Sequence, residues 1–148
     1  MHSVLIIGIG NTLRQDDGVG IVAAHNLSKA VEDPHIRIIC CQQLTPDLAK
    51  DVSEADRVIM IDADQENGPG KVTVQEIMPG NRALNSFTHD LEPEMLLACT
   101  RELYGKSPDA FLVTGAGESF GFGEGLSRLA TSALPEILRR VIDLAQIE

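Results

Sequence analysis

Ser3-Val4-Leu5-Ile6-Ile7-Gly8-Ile9-Gly10-Asn11-Thr12-Leu13-Arg14-Gln15-Asp16-Asp17-Gly18-Val19-Gly20 is the stretch that decides the fold. It opens as a continuous apolar run, the pattern of a strand buried on both faces of a sheet. Beyond Gly18 the apolar residues Val19, Val22, Ala23, Leu27 and Ala30 recur at helical spacing, which predicts a helix over 18–31. The stretch therefore reads strand, glycine-bearing turn, helix.

The opening Gly8-x-Gly10 imitates the dinucleotide fingerprint G-x-G-x-x-G, but Leu13 occupies the third glycine position. The helix also begins late, after two aspartates whose charge would repel a pyrophosphate. Capping of the helix explains Asp16, because a carboxylate there can accept a free N–H and sits at the positive helix end. It explains Asp17 less well, since adjacent like charges repel. A cation nearby would relieve that repulsion.

Outward from this stretch, strand and helix alternate. Residues 36–40 and 58–61 are short β-rich runs, and 110–114 is a further strand. Thr45-Pro46 reads as an N-cap followed by a first-turn proline. Gly68-Pro69-Gly70 is a turn, and 71–77 alternates polar and apolar as a half-exposed edge strand does. Helical spacing returns over 92–103 and again over 127–147, where Leu134, Ile137, Leu138, Val141 and Leu144 share one face. The pattern predicts an α/β fold: a single domain over 1–148, a three-layer α/β/α stack around a mostly parallel sheet. In such sheets the site lies beyond the carboxyl ends of the strands.

Composition narrows the chemistry. At 43% hydrophobic residues the 148-residue chain can build one buried core, and with no Trp and 3% aromatics that core must be aliphatic. Few aromatics and a net charge of -10 argue against nucleic acid and anionic membrane surfaces as partners. No run is long enough to span a bilayer, and the apolar run 4–9 is too short for a signal peptide and has no basic region before it. Cys40, Cys41 and Cys99 form no CxxC pair and suggest no disulfide framework, so a reducing cytoplasm is the expected location. The vicinal Cys40-Cys41 are expected to pack at a strand end.

Three residues stand at expected β–α transitions. Asp17 follows the first strand. Asp62 continues directly from the buried run 58–61, with Asp64 two residues on. His89 lies in Ser86-Phe87-Thr88-His89-Asp90, at a helix entrance. His2, His25 and His35 are weaker candidates by position. Two carboxylates and an imidazole suit a borderline divalent metal such as nickel or zinc. Glycine at five of the eleven positions 115–125 marks a flexible loop, with Ser127 placed to cap the last helix. Neither G-x-S-x-G nor H-E-x-x-H occurs, which disfavours a serine hydrolase and a zincin.

These segments, in this order, resemble the [NiFe]-hydrogenase maturation protease family over nearly the whole chain. The resemblance rests on Gly8-x-Gly10-Asn11-x-Leu13-x-x-Asp16-Asp17-Gly18-x-Gly20, on Asp62-Ala63, on the His89 region, and on Glu118-Ser119 leading to Gly125-Leu126-Ser127. It implies a twisted sheet of about five strands, one edge strand antiparallel. It implies an aspartyl-type processing endopeptidase with Asp17, Asp62 and His89 as metal ligands and catalytic set, Asp16 supporting. The implied substrate is a hydrogenase large-subunit precursor that already carries nickel, from which a short C-terminal peptide is removed. A monomer is expected. Many members carry an acidic-glycine-glycine-threonine stretch after the second strand, where this chain reads Cys41-Gln42-Gln43-Leu44-Thr45-Pro46-Asp47. The competing readings are a non-hydrolytic nickel or nucleotide carrier and a Rossmann-type oxidoreductase.

Overall fold

A computed structural model of the chain describes residues 3–80 and 91–146. Five strands form one sheet: β1 (Val4–Ile9), β2 (Ile36–Cys41), β3 (Arg57–Asp64), β4 (Val72–Ile77) and β5 (Asp109–Ala116), in the order β2-β1-β3-β5-β4. All neighbours are parallel except β4, which runs antiparallel to β5 at the edge. The helices are α1 (Val19–Ala30), α2 (Ala49–Ser53), α3 (Pro93–Tyr104) and α4 (Arg128–Ala145). This is the α/β fold expected from the sequence, antiparallel edge strand included.

The apolar run of β1 is buried at every position because both its faces are covered. Leu5, Ile7 and Ile9 join Val58, Met60, Val52, Leu96 and Leu97 in one cluster, beneath α2 and α3. Val4 and Ile6 join Ile59, Ile61, Leu27, Ile137 and Val141 in the other, beneath α1 and α4. Side chains alternate across a strand, so one run of aliphatic residues supplies both layers. β4 at the edge is only partly covered: Val72 and Val74 pack against one core, while Ile77, past the exposed Gln75 and Glu76, is buried in the other.

Gly20 fixes how closely α1 approaches the sheet. A Cβ there would lie 2.3 Å from the Ile61 carbonyl oxygen and 2.5 Å from that of Ile9. The first turn of α1 therefore rests directly on the carboxyl ends of β3 and β1, which brings the preceding aspartates to that edge.

Several local expectations hold and others need correction. Ser127 caps α4, its Oγ accepting from the Ala130 N–H at 3.2 Å. Thr45 is at an N-cap with Pro46 next, but its hydroxyl donates to the Asp47 carboxylate and leaves the backbone uncapped. A short 3-10 turn, Pro46–Leu48, precedes α2. Adjacent residues of β2 face opposite sides of the sheet, so Cys41 packs against the core beneath α2 and α3 while Cys40 is exposed, not packed. Among the described residues no helix is long and apolar enough to cross a membrane.

Candidate functional site

The segment after β1 folds into a 3-10 turn, Gln15–Gly18, that delivers Asp16 and Asp17 to different places. Gln15 has φ 53, a left-handed conformation that a non-glycine residue adopts at a cost. Successive residues of a 3-10 turn point in different directions, so the two adjacent side chains part. Asp17 turns into a cleft of about 370 Å³. Asp16 is fully buried and does not line that cleft.

The cleft opens between the carboxyl ends of β1 and β3, where the strand order reverses direction. Its wall is built from Gly10, Asn11, Arg14 and Asp17 after β1, Gln42 and Gln43 after β2, Asp62 in β3, and Glu92 at the entrance to α3. The Asn11 N–H donates to Asp17 Oδ2 at 2.9 Å, which orients that carboxylate. Asp62 Oδ1 accepts its neighbour's N–H, from Ala63, at 2.8 Å.

Burial pushes the Asp62 carboxyl up to about 7, with the charges of Asp17, Glu92 and Asp64 acting in the same direction and the Ala63 N–H opposing them. Two carboxylates from segments remote in sequence thus line one cleft, and the Asp17 charge disfavours ionisation of Asp62. Oxygen donors so arranged suit a divalent cation. Asp64 has a different fate. Its oxygens accept from the Glu66 N–H at 2.8 Å and from the Asn67 side chain, and its carboxyl lies below the usual range.

Asp16 does not cap α1, which lacks a side-chain cap. Its carboxylate instead reaches across to the glycine-rich segment that follows β5. Oδ2 accepts from the Glu118 N–H at 2.9 Å, the Ser119 N–H at 3.1 Å and the Ser127 Oγ at 2.7 Å, and Oδ1 accepts from the Ser127 N–H at 2.7 Å. Burial raises the Asp16 carboxyl, but these four bonds outweigh it and leave the group below its ordinary value. Asp16 also fills the space beside Gly117, where a Cβ would come within 2.5 Å of Asp16 Cβ. Backbone bonds extend the seam: Asp16 to Ser119 O at 2.9 Å, Gln15 to Gly123 O at 3.0 Å, and Gly123 to Leu13 O at 2.9 Å. The segment read as a flexible loop is therefore tied along its length to the turn after β1.

Of the predicted ligands, Asp17 and Asp62 meet in the cleft. His89 lies outside the described residues. Among the described residues no group of three His, Cys, Asp or Glu side chains is arranged to hold a metal ion. His25 and His35 are exposed and line no part of the cleft. Asn11 and Gln42-Gln43, from segments compared above with the family's motifs, line the cleft; sequence reading missed Glu92 and Arg14 as cleft residues. The position of Glu92 before Pro93, at a helix entrance, was the available signal.

No family model matches the chain, and no curated protein matches it. Solved structures do. The hydrogenase maturating endopeptidase HybD from E. coli is 22% identical with TM-score 0.77, over 96% of this chain and 91% of its own. The [NiFe] hydrogenase maturation protease HycI from Thermococcus kodakarensis KOD1 is 23% identical with TM-score 0.78, over 99% and 94%. The hydrogenase 2 maturation peptidase from Thaumarchaeota archaeon SCGC_AB-539-E09 is 22% identical with TM-score 0.72, over 99% of each chain. End to end, this chain has the fold of the hydrogenase maturation endopeptidases.

Proposed function

We propose that the protein is a processing endopeptidase that removes a short C-terminal peptide from a nickel-loaded [NiFe]-hydrogenase large-subunit precursor. The observation that carries this reading is the convergence of Asp17 and Asp62 in one cleft of a chain with this fold. The reading takes nickel as part of the substrate, captured by Asp17, Asp62 and His89. With its carboxyl near 7, Asp62 is partly protonated at neutral pH and gives up that proton when a cation enters. Capture fixes the adjacent polypeptide against the cleft, and positioning of this kind supplies several kcal/mol of a reaction barrier. Gln42 and Gln43, standing where many family members carry an acidic-glycine-glycine-threonine stretch, face the same cleft and suit selection among precursors.

The test is cleavage of nickel-loaded and nickel-free precursor, followed by mass spectrometry. Loss of a C-terminal peptide from the loaded form alone, abolished in Asp17→Ala and Asp62→Ala, is expected. Equal cutting of both forms refutes metal-directed recognition. Tight nickel binding with an unchanged precursor mass makes the protein a carrier.

A further inference from the structure

The seam between the turn after β1 and the glycine-rich segment 117–127 ends at the cleft. Arg14 is the single cationic side chain among the described residues lining that cleft, and its Nη2 donates to the Phe120 carbonyl at 3.2 Å. Phe120 immediately follows Glu118 and Ser119, whose N–H groups the Asp16 carboxylate holds. A continuous chain of contacts therefore runs from buried Asp16 through the segment's backbone to the Arg14 guanidinium. It is closed by pairing of Arg14 with Gly123.

We propose that Arg14 is a catalytic residue that meets the scissile carbonyl oxygen, and that Asp16 is the positioning residue that holds Arg14 there through the 117–127 segment. This rests on the endopeptidase reading above. Hydrolysis adds the oxygen of water to the carbonyl carbon, breaks the C–N bond and sends a proton to the departing amine. Between those events the carbonyl oxygen carries negative charge. Every other ionisable side chain named in the cleft wall, Asp17, Asp62 and Glu92, is an acid and would oppose that charge. A guanidinium has five donors, and the bond to Phe120 leaves others to reach the oxygen. The Phe120 carbonyl gives the otherwise exposed Arg14 side chain one fixed partner, and a donor with less to reorganise as charge develops is worth more.

The experiment compares steady-state cleavage of nickel-loaded precursor by the wild type, Arg14→Met, Arg14→Lys, Asp16→Asn and the Arg14→Met/Asp16→Asn double variant. Hydrogen exchange of the 117–127 amides is measured in the same proteins without substrate. Arg14→Met is expected to lower kcat about a hundredfold with little change in KM, and Arg14→Lys to recover about tenfold of the loss. Asp16→Asn is expected to speed exchange at Glu118, Ser119 and Ser127, to lower kcat about tenfold, and to cost nothing further once Arg14 is gone. A kcat for Arg14→Met equal to that of the wild type, or losses that multiply in the double variant, overturns the proposal. If Asp16→Asn does not fold, Ser127→Ala, which removes one donor to Asp16, takes its place in the same cycle. A wild type that leaves the precursor uncut refutes the endopeptidase reading itself, an outcome distinct from a wild type that cuts equally well without Arg14.

Discussion

Replacing Asp62 by asparagine removes an ionisable group that the fold holds against its preference. The carboxyl's ordinary value is 3.8, and burial with the surrounding acids pushes it to about 7. Well below about pH 4 the folded and unfolded chains both carry the proton, and no penalty exists. As pH rises the unfolded chain releases the proton first, so the folded chain binds more protons and loses stability until about pH 7. Above that the whole penalty is present. At about 1.36 kcal/mol per tenfold change in proton affinity, it amounts to up to roughly 4 kcal/mol. Asp62→Asn keeps the shape and retains an oxygen for the Ala63 N–H, but carries no charge. In urea unfolding with a chelator present, the variant should exceed the wild type by roughly 2–4 kcal/mol at about pH 8, with an unchanged m-value. The advantage should shrink towards zero at about pH 4. Equal stability at the higher pH, or a gain independent of pH, refutes the argument that this cleft stores electrostatic strain. The variant should also fail to process precursor, a trade of stability against function that strained sites commonly make.

Gly20→Ala should lower stability by about 3 kcal/mol or more, because the added Cβ meets the backbone oxygens of Ile61 and Ile9, which cannot rotate away. A thermal midpoint within about 2 °C of the wild type would contradict that packing. Ser127→Ala removes both the α4 cap and a hydroxyl donor to Asp16 Oδ2. The expected cost is about 2–4 kcal/mol in urea unfolding, and an unchanged urea midpoint would show that neither bond matters.

Much of the architecture was legible along the chain, for a local reason. A strand buried on both faces must be apolar at every position, as β1 is; a half-exposed edge strand mixes polar and apolar residues, as β4 does. Helix spacing and the Ser127 cap are written within a few residues of each other. Asp17 and Asp62 were also legible as candidates, because in this fold the residues that follow β1 and end β3 stand at the edge that forms the site. What only the tertiary structure decided concerns neighbours that sequence does not place together. Asp16 and Asp17 are adjacent, and local rules assign both to a helix entrance. The 3-10 turn instead points one carboxylate into the cleft and the other, buried, against amides more than a hundred residues away. The raised proton affinity of Asp62 likewise depends on burial and on Asp17 and Glu92, which reach it only when the strands pair and α1 settles onto their ends through Gly20. Hydrogen bonds and charges act through a few ångströms of space, and the chain pattern specifies which elements form without specifying which side chains end within that range.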